Sequence, residues 1–278
     1  MQDKRGIILL ALGHPYYARM AYNLLASIRL HEPYLAVAIA VNGEGFGLLE
    51  EYQQEQFTKV IQLDNYTDPY RAKLDLDKIS PFEQSLYLDV DMVWNNFKSP
   101  LELFDELSGI EFTIINRIRV STEEKILSAW IDLPSVKKQY GFDEVYDISS
   151  ELIYFEKGTK VFEVARKHYD SIKIDVKKFG EGYPDEAYIM LALEELGIKL
   201  HETPFEPTYW QPRWNPKIHN EQHIGKFYAL SVGGAYTLPF IQKLYNRQVN
   251  NSFYQSGMPG APFQLIPKYR IFKERRTI

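Results

Sequence analysis

Residues 89 and 91 are both aspartate, and they follow directly on the apolar run "SLYL". Two carboxylates gathered around one point repel each other, and one would take up a proton unless a cation sits between them. Oxygen ligands of this kind suit Mg²⁺ or Mn²⁺, which also bind phosphate oxygens. The chemistry on offer is neutralisation of a phosphate-bearing group by a bound Lewis acid. The same spacing also fits a turn cap at Asp89 followed by an exposed Asp91. A second acidic pair, Asp185 and Glu186, opens a run with helical spacing. There it suits the helix macrodipole. Arg71 and Lys73 stand two apart on a third segment, where helix-surface charges are the plain reading.

The elements that must position these groups can be read from hydrophobic patterning. "GIILLALG" and "YLAVAIAVNG" are continuous apolar runs closed by glycine, as in strands buried on both faces. Between them, Ala18, Ala21, Leu24, Leu25 and Ile28 recur at helical spacing after Pro15. A polar helix around Leu48 to Phe57, the strand "KVIQL" and a helix over "DPYRAKLDLDKIS" capped by Asp68 follow. They lead into "QSLYLDVD", with Leu86 and Leu88 on one strand face and Tyr87 on the other. Alternating strands and helices predict an α/β fold with a mostly parallel, Rossmann-like central sheet flanked by helices. Ligands of such sheets bind beyond the carboxyl ends of the strands, which is where Asp89 and Asp91 fall.

The second half predicts the helix "PLELFDELS" after Ser99, the strands "IEFTIINRI" and "DISSELIYFEKG", and the helix "TKVFEVARKHYDSI". A further helix lies between Pro184 and Gly197. From Thr203 the prolines and aromatics of "PFEPTYWQPRWNP" predict loops and short strands covering a cleft.

No linker-like stretch divides the 278 residues, so one unit is expected, with an elaborated C-terminal part. A net charge of −5 speaks against binding nucleic acid by broad phosphate neutralisation. The tail "PKYRIFKERRTI" is basic, through Lys268, Arg270, Lys273, Arg275 and Arg276, and reads as a solvated end or a tether to an anionic surface. Absence of cysteine removes thiolate chemistry and suits a reducing compartment. The first apolar run is too short to span a membrane, so no transmembrane segment and a cytoplasmic location are expected.

The segment "RAKLDLDKISPFEQSLYLDVDMVWNN" resembles the centre of GT-A fold glycosyltransferases, especially the glycogenin and lipopolysaccharide galactosyltransferase group. Those enzymes have a basic residue on a helix, then a hydrophobic strand ending "YLD-D", matched here by Arg71 or Lys73, Tyr87, Leu88, Asp89 and Asp91. "ILLALGHPYYARMAYNLLASIRLHEP" resembles the family's first strand and helix. "DISSELIYFEKG" is similar to the segment that usually reads "N-S-G-V" before a strand, "YPDEAYIMLAL" to an acidic "D-Q" helix opening, and "KIHNEQHIGKFYAL" to the segment supplying a metal-binding histidine and a phosphate-binding lysine. The order spans about residues 6 to 230. Three departures stand out: "S-S-E-L" for "N-S-G-V", Glu186 for the usual Gln, and a C-terminal motif with lysine directly after glycine and no Pro-Trp.

The resemblance implies a metal-dependent, retaining hexosyltransferase acting on a nucleotide diphosphate sugar, most simply a UDP-sugar. It implies a nucleotide-binding half over about 1–118 and a donor and acceptor half over about 119–278, with Tyr209, Trp210 and Trp214 available for stacking on a sugar ring or for packing. Mn²⁺ or Mg²⁺ would sit on Asp89, Asp91 and His223, with His219 as the alternative ligand. Leu12, Gly13 and His14 would lie near the base and ribose, and Lys226, with Arg71 or Lys73, near the diphosphate. Asp89 would also touch the ribose or donor sugar. Asp185 and Glu186 would stand beside the donor sugar or the acceptor hydroxyl. The acceptor, a glycan, a protein or modified nucleic acid, is left open. Two other readings remain. A sugar-phosphate nucleotidyltransferase shares the architecture, but "ALGHPYY" lacks the glycine-rich basic loop such enzymes carry after the first strand. A catalytically silent glycan-binding member of the fold is the other.

Overall fold

The computed structural model describes residues 4–64, 66, 68–95, 98–123, 127–128, 130–171, 176, 182–201, 208–209, 227–231 and 239–265. Helix α1 (Tyr16–Arg29) connects β1 (Arg5–Ala11) to β2 (Ala36–Val41). Two short helices, α2 (Gly43–Gly47) and α3 (Glu51–Gln54), precede β3 (Lys59–Gln62), and two more, α4 (Pro69–Lys73) and α5 (Leu76–Ile79), precede β4 (Gln84–Leu88). The chain continues through β5 (Met92–Trp94), α6 (Pro100–Glu106), β6 (Phe112–Ser121), the hairpin β7 (Leu127–Ser128) and β8 (Ile131–Asp132), α7 (Leu133–Tyr140) and β9 (Glu144–Glu156). After β9 come α8 (Val161–Ser171), α9 (Asp185–Leu196), β10 (Thr208–Tyr209), β11 (Ala229–Ser231) and α10 (Pro239–Ser256).

The main sheet has the order β3-β2-β1-β4-β9-β6. Its first four strands run parallel, and β9 is antiparallel to both β4 and β6. Both faces are covered, so strand residues alternate between two cores instead of between core and water. Ile7, Leu9, Ala11, Leu86 and Leu88 pack toward α1, α6 and α10. Ile8, Leu10, Tyr87 and Ile153 pack toward α4, α5, α8 and α9. The split of Leu86 and Leu88 from Tyr87 is the one expected from the sequence.

Directly after β4 the chain changes sheets. The Asp89 N–H still pairs with the Glu151 carbonyl of β9 at 2.9 Å, a turn closes as the Met92 N–H donates to the Asp89 carbonyl at 3.2 Å, and β5 then pairs with β11 in a second sheet, β10-β11-β5. Asp89 and Asp91 therefore lie at the junction of two sheets, at the carboxyl end of β4. Leu9 is in register with Leu88, so β1 delivers Leu12 to His14 to the same edge.

Three elements differ from the sequence reading. The helix expected over residues 68 to 80 is broken at Leu74, because the Leu74 carbonyl accepts from Arg166 Nη1 at 2.6 Å and Asp75 turns back to Arg71 and Lys78. The helix expected over Leu48 to Phe57 is only α3. Asn42 caps α2, accepting from the Gly45 N–H, and Glu50 with Gln53 then forms a fresh capping box for α3. Where loops and short strands were expected toward the C-terminus, α10 runs for 18 residues and buries Leu244, Tyr245, Val249 and Phe253 beside α1. Among the described residues no helix is long and apolar enough to cross a membrane.

Candidate active site

The site grows from Lys73, the last residue of α4. Its Nζ lies 2.9 Å from Asp89 Oδ1 and 4.0 Å from Asp185 Oδ1, above the Tyr87 ring at 5.2 Å. It also donates to Ser150 Oγ at 3.2 Å. Burial by itself would strip the lysine of its proton, but Asp185 and Asp89 more than offset that and hold Lys73 charged, well above its ordinary range. Tyr87 completes the grip on Asp89 by donating its hydroxyl to Oδ1. Burial, with Asp89 beside it, pushes that phenol well up, so it stays a donor.

Asp185 and Glu186 reach the site because Pro184 ends the extended approach to α9 and aims the first helical turn at β9. Asp185 is 2% exposed, and its Oδ2 is buried with no hydrogen-bond partner. Burial raises its carboxyl, and Lys73 pulls it back down. Glu186 accepts from the Ser150 N–H at 3.0 Å through Oε1 and from the Trp130 indole Nε1 at 2.5 Å through Oε2. Burial, with Asp185 next to it, pushes the Glu186 carboxyl up to about 7.

Glu151 adds another carboxyl. It is 7% exposed, accepts from Ser231 Oγ at 2.8 Å, and is pushed well above the usual carboxylate range by burial, then by the charges of Asp89 and Asp91. Asp89 and Asp91 are thus both within electrostatic reach of Glu151. The second sheet supplies the serine that holds Glu151 in place.

The remaining expected residues distribute as follows. Arg71 turns away from the pair to Asp75, at 2.7 Å, and lies 5.3 Å from the Tyr169 ring, so of the two basic candidates Lys73 is the one in the site. Leu12 is buried, Gly13 has φ 87°, a left-handed conformation that suits glycine, and His14 is buried. His14 Nδ1 accepts from the Tyr16 N–H at 3.2 Å, and the imidazole stacks on Tyr16 at 5.1 Å, so it caps the start of α1. Tyr70 of α4 feels Lys73, Tyr17, Asp185 and Asp89, which links this loop to the acidic cluster. His219, His223, Lys226, Trp210, Trp214 and the basic tail lie outside the described residues.

Trp130 and Ser150 were not picked out as functional from the sequence. Ser150 falls within the unusual "S-S-E-L" stretch, a usable signal. Trp130 stands 56 residues from Glu186 and carries no local signature.

No family model matches this chain, and neither does any curated protein. Solved structures do match in three dimensions. The bifunctional glycosyltransferase WbbM, in its apo form, superposes with a TM-score of 0.57 at 10% identity over 93% of this chain and 51% of that one. This chain thus spans about half the length of WbbM. The galactosyltransferase LgtC, in complex with donor and acceptor sugar analogues, gives a TM-score of 0.51 at 14% identity over 92% of this chain and 97% of that one. Mouse xyloside xylosyltransferase 1, also apo, gives 0.51 at 10% identity over 82% and 97%. The chain has the GT-A glycosyltransferase fold.

Proposed function

We propose that this protein is a metal-dependent glycosyltransferase that moves a sugar from a nucleotide diphosphate sugar, of the UDP class, to an acceptor hydroxyl with retention of anomeric configuration. The observation that carries the reading is the acidic cluster of Asp89, Asp185 and Glu186 around Lys73, with Asp91 in the turn directly after Asp89, at the carboxyl end of β4 in a fold shared with sugar transferases. The retaining outcome comes from the family resemblance alone.

The oxygen chemistry of Asp89 and Asp91 fits a hard divalent cation. Both carboxylates act on Glu151, and a dication there would relieve that repulsion. Among the described residues no group of three or more His, Asp or Glu side chains is arranged to hold a metal ion. The family resemblance assigns the remaining protein ligand to His223, with His219 as the alternative. When bound, Mn²⁺ or Mg²⁺ would neutralise charge on the departing diphosphate. The chain's own groups do the rest. Lys73 fixes Asp89 and adds positive charge, the Asp185 Oδ2 atom accepts a hydrogen bond from a sugar hydroxyl, and Gly13 lets the donor approach the β1 loop closely.

Incubation with a panel of nucleotide sugars and Mn²⁺, with release of free nucleotide diphosphate as readout, tests this. Release from a UDP-sugar that stops on chelation is the expected result. A folded protein that neither binds nor turns over any nucleotide sugar overturns it.

A further inference from the structure

Trp130 is the single non-glycine residue, among those described, with a positive φ, 67°. A bulky residue in that region is an outlier that its surroundings must enforce. It directly precedes β8 and packs, half-buried, on the core beneath α9. Its indole Nε1 donates to Glu186 Oε2 at 2.5 Å, while the Ser150 N–H donates to Oε1 at 3.0 Å. Two N–H donors thus converge on both oxygens of one carboxyl. A glutamine at 186 would turn its own N–H₂ against one of them, so the pocket is shaped for a carboxylate.

The contact continues inward. Ser150 Oγ accepts from Lys73 at 3.2 Å, and Lys73 lies 2.9 Å from Asp89. The β7–β8 hairpin is therefore tied through hydrogen bonds to the acidic pair at the end of β4.

We propose that Trp130 is a positioning residue, whose indole N–H locks Glu186 as an oriented carboxylate facing the site. The left-handed backbone at 130 is what delivers the indole to that oxygen. The catalytic meaning of this contact rests on the transferase reading above. The charged groups facing Glu186 are Asp185 on its own helix, Lys73 from α4 and Glu151 from β9. Burial and Asp185 raise its carboxyl, and the Ser150 N–H, Lys73 and Trp130 hold it at about 7.

The variant Trp130→Phe keeps the ring and the backbone geometry and removes only the donor. It is expected to lower kcat about tenfold with little change in donor KM, the pattern of an interaction used in the transition state. The acid limb of the pH–rate profile moves to higher pH. Glu186→Gln loses the same function, and adding Trp130→Phe to it costs nothing more, because the two residues act as a unit. Wild-type kcat with an unmoved acid limb in a folded Trp130→Phe protein overturns the proposal.

A second measurement does not depend on activity. The indole N–H resonance that Trp130→Phe abolishes should titrate with a midpoint near that of Glu186 and cease to titrate in Glu186→Gln. A resonance that ignores pH across the neutral range, or still titrates in Glu186→Gln, overturns the proposal. A resonance that titrates in a protein inactive on every donor leaves the contact standing and removes the transferase reading.

Discussion

Lys73 Nζ stands between two carboxylates that belong to different elements, 2.9 Å from Asp89 at the end of β4 and 4.0 Å from Asp185 at the start of α9. The lysine side chain is 12% exposed and that of Asp185 2%, so this is a desolvated arrangement and not a surface ion pair. Removing one partner of a buried pair leaves an uncompensated charge, at a cost of about 3–5 kcal/mol. Lys73→Met is expected to lower the free energy of unfolding by about that amount, read in urea titrations at neutral pH. Lowering the pH should narrow the gap, because Asp185 can then take up a proton. An unchanged unfolding midpoint would show that solvent reaches the cluster and screens it.

If Asp89 and Asp91 grip a cation that grips a diphosphate, ligand binding must be cooperative between metal and nucleotide. Ligand at 100 times its Kd stabilises the folded state by about 2.7 kcal/mol. For a chain of this size that is a Tm rise on the order of 5–10 °C. UDP with Mn²⁺ should produce it in the wild type, and either one alone should give much less. Asp91→Asn should abolish the combined effect while leaving the unliganded Tm close to wild type. An equal shift in the variant would move the nucleotide away from the end of β4.

Much of this site was legible from residue order alone. The buried strands β1, β2 and β4 announce themselves as continuous apolar runs, and the parallel-sheet rule places Asp89 and Asp91 at a strand end. Choosing Lys73 over Arg71 was not legible. Both stand on α4, and only their partners in the fold tell them apart: Arg71 turns to Asp75, while Lys73 reaches Asp89 at the end of β4. Trp130 and Glu186 meet only because a hairpin without hydrophobic periodicity folds against α9. Helix α10 was hidden because its buried apolar residues among those described, Leu244, Tyr245, Val249 and Phe253, stand between many polar ones. Proline and aromatic density just upstream outweighed that weak stripe. Local pattern carries elements with a strong face, and long-range partners decide the rest.

Glu151 gives the pH dependence a definite sign. An unfolded glutamate ionises near 4.3. Burial, Asp89 and Asp91 raise the folded-state carboxyl well above that. The folded protein therefore holds this proton more tightly than the unfolded chain does. Its contribution to stability is complete below the unfolded value and is lost as the pH climbs from there through the folded value. Glu151→Gln resembles the protonated form and does not titrate. It should match the wild type near pH 4 and exceed it at pH 8, where the wild type must either keep that proton against the pH or bury the charge. Tm measured across that range checks it. A variant less stable than wild type at pH 8 would mean that the ionised carboxylate is stabilised, in conflict with its burial.

Gly6 shows how closely β1 is fitted to the turn that leads into β4. It sits between Ala36 of β2 and Ser85 of β4, and a Cβ built on it would meet the buried Phe82 ring at 2.5 Å. Real Cβ atoms do not approach that closely, so Gly6→Ala must push the ring out of a packed core. Such overpacking costs about 1–3 kcal/mol. If the ring is the obstacle, Phe82→Leu should relieve it. The double variant Gly6→Ala/Phe82→Leu is then expected to be less destabilised than the two single changes summed, by about 1 kcal/mol, since residues in contact couple. Urea unfolding of the three variants measures this. Simple additivity would mean that the strain falls on the strand backbone, and β4, with Asp89 at its end, would then move with it.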